Sequence, residues 1–259
     1  MSFPFDVQLV GGAETKTYAT KGQRLGQRGF TEDGRVFRYM RADPTYGITY
    51  PYWAAADSHK YDTSEAYDCL EATTSTAKVI GDFTLDAVDT NTDHVADWFA
   101  EGYAFLTVGS IIYQARIRKN TAGHATTAVV FSLYNPLPLA VAAGSQIQVF
   151  PSIYSAVVSC HPASGGNDGQ KVKVCMPIVP VTKSYYFWGQ TWGPCMGIPS
   201  EAFPRGTYEA DLVFSSDGSV KLRADWSANN INQHAGYRIP HYTEDPTGAL
   251  IYFQLEIAP

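Results

Sequence analysis

The chain contains no apolar run near twenty residues, the length that a membrane-spanning helix requires. Its first twelve residues, MSFPFDVQLVGG, also lack the basic start and the apolar stretch of a secretory signal peptide. We therefore expect no membrane partner and no cleaved leader.

The common catalytic and phosphate-binding motifs are also missing: there is no GxSxG, no HExxH and no GxxxxGK[ST]. Asp89 to Asp93 alternate oxygen-bearing side chains like the first half of a calcium loop, but His94 stands where that loop needs its glycine. Nothing singles out a glycosidase pair among the carboxylates of Asp211, Asp217, Asp225, Glu244 and Asp245. We predict no enzymatic activity, no metal and no cofactor.

Basic residues are few, and the net charge is -6. Binding to a phosphate backbone needs clustered Lys and Arg, so we expect no direct contact with nucleic acid. Arginines do concentrate near the N-terminus, from Arg24 and Arg28 to Arg41. A solvated strand face and a basic edge that meets an acidic protein surface both account for this segment.

Only four cysteines occur, Cys69, Cys160, Cys175 and Cys195, without CxxC spacing or a histidine pattern typical of zinc. A disulfide between Cys160 and Cys175 is conceivable across a loop. Buried thiols are favoured, because a chain that folds in a reducing cytoplasm seldom relies on disulfides.

What the chain does contain is the pattern of a β-protein. Asp33-Gly34 and Asp217-Gly218 are hairpin signals, since glycine accepts the positive φ of a tight turn. Val36 to Arg41 alternate with the period of two of a pleated strand. From Tyr103 onward, strand-like segments recur about every ten residues. This predicts a mainly β fold, an antiparallel β-sandwich or barrel with an extended N-terminal arm and little helix.

The domain prediction separates an arm, residues 1–25, from a β-rich body, residues 26–259, with room for two subdomains that divide near residues 100–160. In the arm, Phe3, Phe5, Val7 and Leu9 alternate with polar residues or proline. No following turn pairs this segment locally, and an isolated strand cannot bury its apolar face alone. The face must lie on the body, on a neighbouring copy or on another protein.

The segment 185–192 holds five large rings in eight residues: Tyr185, Tyr186, Phe187, Trp188 and Trp192. Successive strand residues point to opposite faces, so one core cannot take all five rings. Such a segment suits a glycan platform, a β-core or a subunit interface. We favour the core or the interface.

Four segments in order resemble signatures of tailed-phage virion proteins of the head-decoration, or capsid cement, type. They are GQRGFTEDGRVFRYMRA, EGYAFLTVGSIIYQARIRKN, YYFWGQTWGPC and DGSVKLRADWSANNINQHAGYRIP, and they span the chain from Gly26 to the C-terminal region. The resemblance implies a protein that binds the outer surface of the head and stabilises the capsid lattice. Its implied partners are the major capsid protein and two further copies of itself, in a homotrimer.

With this resemblance, the expected capsid-binding residues are Phe3, Phe5, Val7, Leu9, Arg24 and Arg28. The expected subunit interface is the aromatic segment: Tyr185, Tyr186, Phe187, Trp188 and Trp192. The alternative function is a receptor- or glycan-binding module on the virion, with the same aromatic segment as its contact.

Overall fold

The computed structural model describes residues 6–59, 69–88, 94–123, 127–161, 172–200, 210–223, 233–239 and 250–259. They include one complete helical turn, a 3-10 turn at Ala13–Thr15. The strands are β1 Val7–Gln8, β2 Thr17–Tyr18, β3 Arg28–Phe30, β4 Val36–Arg41, β5 Ala55–Asp57, β6 Leu70–Thr73, β7 Thr84–Ala87, β8 Tyr103–Val108, β9 Ile111–Asn120, β10 Val129–Leu133, β11 Gln146–Phe150, β12 Val157–Ser159, β13 Lys173–Cys175, β14 Tyr186–Gly197, β15 Asp211–Phe214, β16 Val220–Leu222, β17 His234–Arg238 and β18 Ile251–Glu256.

The predicted fold class is confirmed: the protein is mainly β, with antiparallel pairing nearly throughout. Both predicted hairpin turns form. Gly34 has φ 84° in the turn between β3 and β4, and Gly218 has φ 82° in the turn between β15 and β16. In each turn glycine supplies the positive φ that a side chain would resist.

The chain forms two compact units. The first unit combines residues 1–58 with 154–259, and the second comprises residues 59–153. The second unit is therefore an insertion within the first, and it begins well before the division expected near residues 100–160. Residues 1–25, the expected separate arm, fall within the first unit.

The first unit contains a nine-stranded sheet, in the order β1-β3-β4-β14-β18-β17-β15-β16 with β2 also paired to β14. β14 is its twelve-residue central strand, bonded to β4 on one side and to β18 on the other. A three-stranded sheet, β12-β5-β13, packs against one face through a core that includes Met40, Cys175 and Phe187. A second core with Leu9, Tyr39 and Trp188 covers the opposite face.

The second unit is a six-stranded sheet in the order β6-β11-β8-β9-β10-β7. An antiparallel bridge between Thr74 and Ala87 joins its first and last strands, so the sheet curls into a barrel. Fifteen buried residues, among them Leu106, Ile117 and Phe131, fill the interior. The connections β6–β7, β8–β9 and β10–β11 leave the barrel at the same end, as the register of the strands requires.

Candidate functional site

The N-terminal strand, expected to lie on a capsid protein, finds its partner on its own chain. Val7 and Gln8 pair in parallel with Gly29 and Phe30 of β3. Leu9 is only 5% exposed and belongs to the core that holds Trp188. The expectation that this face has no local partner is therefore wrong for residues 7–9. Phe3 and Phe5 lie outside the described residues, and their role stays a prediction.

The close fit at β3 explains why the arm docks there. A Cβ on Gly29 would lie 2.7 Å from the Trp188 ring and 3.1 Å from the Leu9 side chain. Real Cβ atoms do not approach other heavy atoms as closely as 2.7 Å, so only glycine lets Leu9 and Trp188 meet over β3.

The N-terminal arginines make contacts within their own chain. Arg28 pairs with Asp6, which lies just before β1. Arg35 bonds Asp33 at 2.8 Å, and Arg38 donates to the carbonyl oxygen of Pro259 at 2.7 Å. Arg24 is exposed. Arg28, Arg35 and Arg38 thus bind groups of their own chain. A role of Arg24 in capsid binding stays a prediction.

The aromatic segment is mainly core. Phe187 and Trp188 are buried on opposite faces of β14, one in each of the two cores of the first unit. Tyr186 stacks on Tyr39 with ring centroids 5.8 Å apart, while Tyr185 and Trp192 are half-buried. One core does not hold all the rings, as predicted, and Phe187 and Trp188 follow the core alternative. A second core, on the opposite face of the sheet, contains Trp188 and packs against Tyr186. A subunit interface at the other three rings stays a prediction.

The carboxylates considered for catalysis do not converge within the described residues. On β15, Asp211 pairs with Arg223 at 2.9 Å, and its other carboxylate oxygen lies 3.0 Å from His234 Nδ1. Asp217 accepts bonds from the backbone and side chain of Ser219 and thus stabilises a turn. Asp225, Glu244 and Asp245 lie outside the described residues, as do 89–93 of the calcium-like loop. No group of three or more His, Cys, Asp or Glu side chains in the described ranges could hold a metal.

All four cysteines are described, and no disulfide joins them. Burial raises the pKa of Cys195 to about 12 and raises the pKa of Cys175 well above its ordinary value. A raised pKa keeps both thiols protonated, and the protonated thiol is a poor nucleophile. These two cysteines are therefore structural parts of the core.

Sequence reasoning missed a group of exposed apolar side chains on the second unit. They lie in the β6–β7 connection and at the start of β9, at the same end of the barrel, and each is between 53% and 73% exposed: Val79, Ile80, Phe83, Ile111 and Ile112. We call this group the apolar loop end. The charged side chains next to this group bind other groups of the same chain. Lys78 pairs with Asp86 at 2.6 Å, and Asp82 accepts a hydrogen bond from the Val79 backbone at 3.0 Å.

The apolar loop end is the strongest candidate contact surface in the described structure. Single exposed apolar residues are ordinary, but several large ones at one end of a sheet are a candidate interaction site. The β6–β7 connection is also held in place: Lys78 bridges Val141, and Gly81 and Asp82 exchange backbone bonds with Leu137. The surface is thus presented on a fixed loop, which lowers the entropy cost of binding.

Comparisons with protein-family models, with curated proteins and with solved structures find no match for this chain. None of the helices in the described ranges is long and apolar enough to cross a membrane.

Proposed function

We propose that this protein is a non-enzymatic component of a tailed-phage virion that binds the outer surface of the head and stabilises the capsid lattice. The order of the four resembling segments suggests this class, and the apolar loop end is the structural observation that supports it. The loop end, and not residues 7–9 of the arm, is the proposed attachment surface.

The proposed mechanism is mass action. A protein that binds only the assembled lattice stabilises it by the binding free energy, and contacts to several capsid subunits at once multiply the effect. Burying one large apolar side chain contributes roughly 1.5–3 kcal/mol, so a few residues of the loop end supply useful affinity. The capsid protein is the proposed occupant of this surface, and the homotrimer stays a prediction.

A second candidate function is a receptor- or glycan-binding module on the virion. The aromatic segment no longer favours it, because two of its five rings are buried in their own chain. A different observation favours it, namely a polar groove over strands β6, β11, β8 and β9 of the second unit.

Quantitative mass spectrometry of purified virions tests the proposed function. Head decoration predicts a copy number in fixed proportion to the major capsid protein. A few copies per particle would instead favour an adsorption module at a vertex or tail. Absence from purified virions would contradict both.

A further inference from the structure

A groove of about 460 Å³ runs over the outer face of strands β6, β11, β8 and β9. Its outward-facing lining consists of Glu71, Thr73, Gln146, Gln148, Phe105, Thr107 and Ile112. The volume falls within the range of sites that bind small molecules and short oligomers.

The lining side chains form two rows across the four strands. Thr73, Gln146, Thr107 and Ile112 stand opposite one another in one row. The second row is Glu71, Gln148 and Phe105, and Gln114 stands opposite Phe105 just outside the groove lining. Directly opposed side chains on a sheet lie within about 5.5 Å of each other, so each row is a continuous strip of contacts. The rigid sheet therefore holds these groups in place before any ligand arrives.

The chemistry of the rows is that of a hydroxyl-rich ligand. Amide and hydroxyl side chains both donate and accept hydrogen bonds, as sugar hydroxyls do. The Gln148 amide nitrogen donates to the Glu71 carboxylate at 2.8 Å, which orients that amide. Phe105 lies between the amides of Gln148 and Gln114 and is partly exposed, so it offers an apolar surface to the carbon face of a sugar ring.

Other ligand classes fit less well. The groove lining contains one carboxylate and no Lys or Arg, so an anionic ligand would meet repulsion without compensation. An added peptide strand is disfavoured because β11 and β8, which form the floor of the groove, already bond to neighbours on both sides. A neutral ligand with hydroxyls on its edges and an apolar ring face satisfies both rows.

We infer that the groove over β6, β11, β8 and β9 binds a neutral oligosaccharide, with Gln146 and Gln148 hydrogen-bonding its hydroxyls and Phe105 stacking on a sugar ring. The groove and the apolar loop end share Ile112. The variants that test the two sites change other residues, so either proposal can fail without the other. The groove adds a glycan contact to the outer surface that the protein would present.

The test is titration of the purified full-length protein with neutral hexasaccharides of glucose, mannose, xylose and N-acetylglucosamine, followed by calorimetry or by NMR of the side-chain amides. We expect at least one to bind at about millimolar concentration or below. The double variant Gln146→Ala/Gln148→Ala should weaken that binding about tenfold or more, since it removes several hydrogen bonds. Arg118→Ala, an exposed residue of β9 outside the groove, is the matched control and should bind like the wild type.

A hyaluronan hexasaccharide and inorganic phosphate serve as anionic probes and should not compete. Thermal melting of the double variant checks that it remains folded, and both glutamines are exposed, so we expect an unchanged transition. Failure of all four neutral sugars to bind, equal binding by the double variant, or preferential binding of an anionic probe would each overturn the inference.

Discussion

Phe187 and Trp188 are adjacent on the central strand β14, and both are buried, on opposite faces of the sheet. Each stands opposite a residue of β4 that belongs to the same core, Met40 beside Phe187 and Tyr39 beside Trp188. The Trp188 and Tyr39 rings meet edge to face, with centroids 5.0 Å apart. A strand with both faces covered cannot present these rings to another subunit.

Trp188→Ala is therefore expected to act on folding. Truncating a buried tryptophan costs about 3–5 kcal/mol, through lost apolar burial and the cavity left behind. Trp192→Ala should cost less, because Trp192 is only half-buried. Urea denaturation followed by circular dichroism measures both. A Trp188→Ala variant that keeps wild-type stability but loses an oligomeric state in light scattering would restore the interface assignment.

The arm offers a matched pair of neighbours, Leu9 and Val10. Leu9 is 5% exposed and Val10 is 64% exposed. We expect Leu9→Ala to lower the free energy of unfolding by about 2–4 kcal/mol and Val10→Ala to change it by less than about 0.5 kcal/mol. Equal effects of the two substitutions in urea denaturation would show that residues 7–9 do not dock on β3 in solution.

These cases show how far the sequence could predict the fold. The turns at Asp33-Gly34 and Asp217-Gly218 and the alternating strand at Val36–Arg41 depend on local chemistry, and all three form as predicted. The parallel pairing of β1 with β3 and the second core over β14 depend on contacts between distant segments, which alternation alone does not specify.

The candidate sites were harder to predict for the same reason. Gln146, Gln148 and Phe105 look like the solvent-facing positions of separate strands, and only their register brings them into one row. Ile80 lies in the β6–β7 connection and Ile111 begins β9, and the strand order places both at one end of the sheet. Apolar residues in strand-rich segments are usually assigned to the core, so their exposure could not be anticipated.

The second unit contains a buried carboxylate, Glu101, whose ion pair with Arg116 can be tested by substitution. Glu101 is buried, accepts a hydrogen bond from Tyr134 at 2.8 Å and pairs with Arg116 at 3.1 Å. Arg116→Ala removes the cation and leaves a buried negative charge, which costs about 3 kcal/mol. The exposed neighbour Arg118→Ala should stay within about 0.5 kcal/mol of the wild type. Equal stability of both variants would contradict the pairing.

Cysteine chemistry gives a prediction that depends on pH. Because burial raises the pKa of Cys175 and Cys195, with Cys195 at about 12, neither forms a thiolate in the folded protein at pH 8. We expect iodoacetamide to modify the less buried Cys69 first, and to reach Cys175 and Cys195 only after denaturation. Peptide mapping by mass spectrometry reads out each site in one sample.

The raised pKa values of Cys175 and Cys195 also determine whether the stability of the fold rises or falls at alkaline pH. Above an ordinary thiol pKa of 9.0, the unfolded chain releases protons that the folded chain retains. Stability therefore falls as the pH rises above that value. Rapid labelling of Cys195 in the native protein at pH 8 would show that it is not in the core.

Head binding through the apolar loop end is tested most directly by co-sedimentation of the purified protein with phage heads that lack it. The double variant Ile80→Asp/Ile111→Asp removes two exposed apolar contacts, and Val95→Asp changes an equally exposed residue at the opposite end of the barrel. We predict saturable binding by the wild type and by Val95→Asp, and binding about a hundredfold weaker by the double variant. Wild-type protein that stays in the supernatant, or a double variant that binds as tightly as Val95→Asp, would contradict the account.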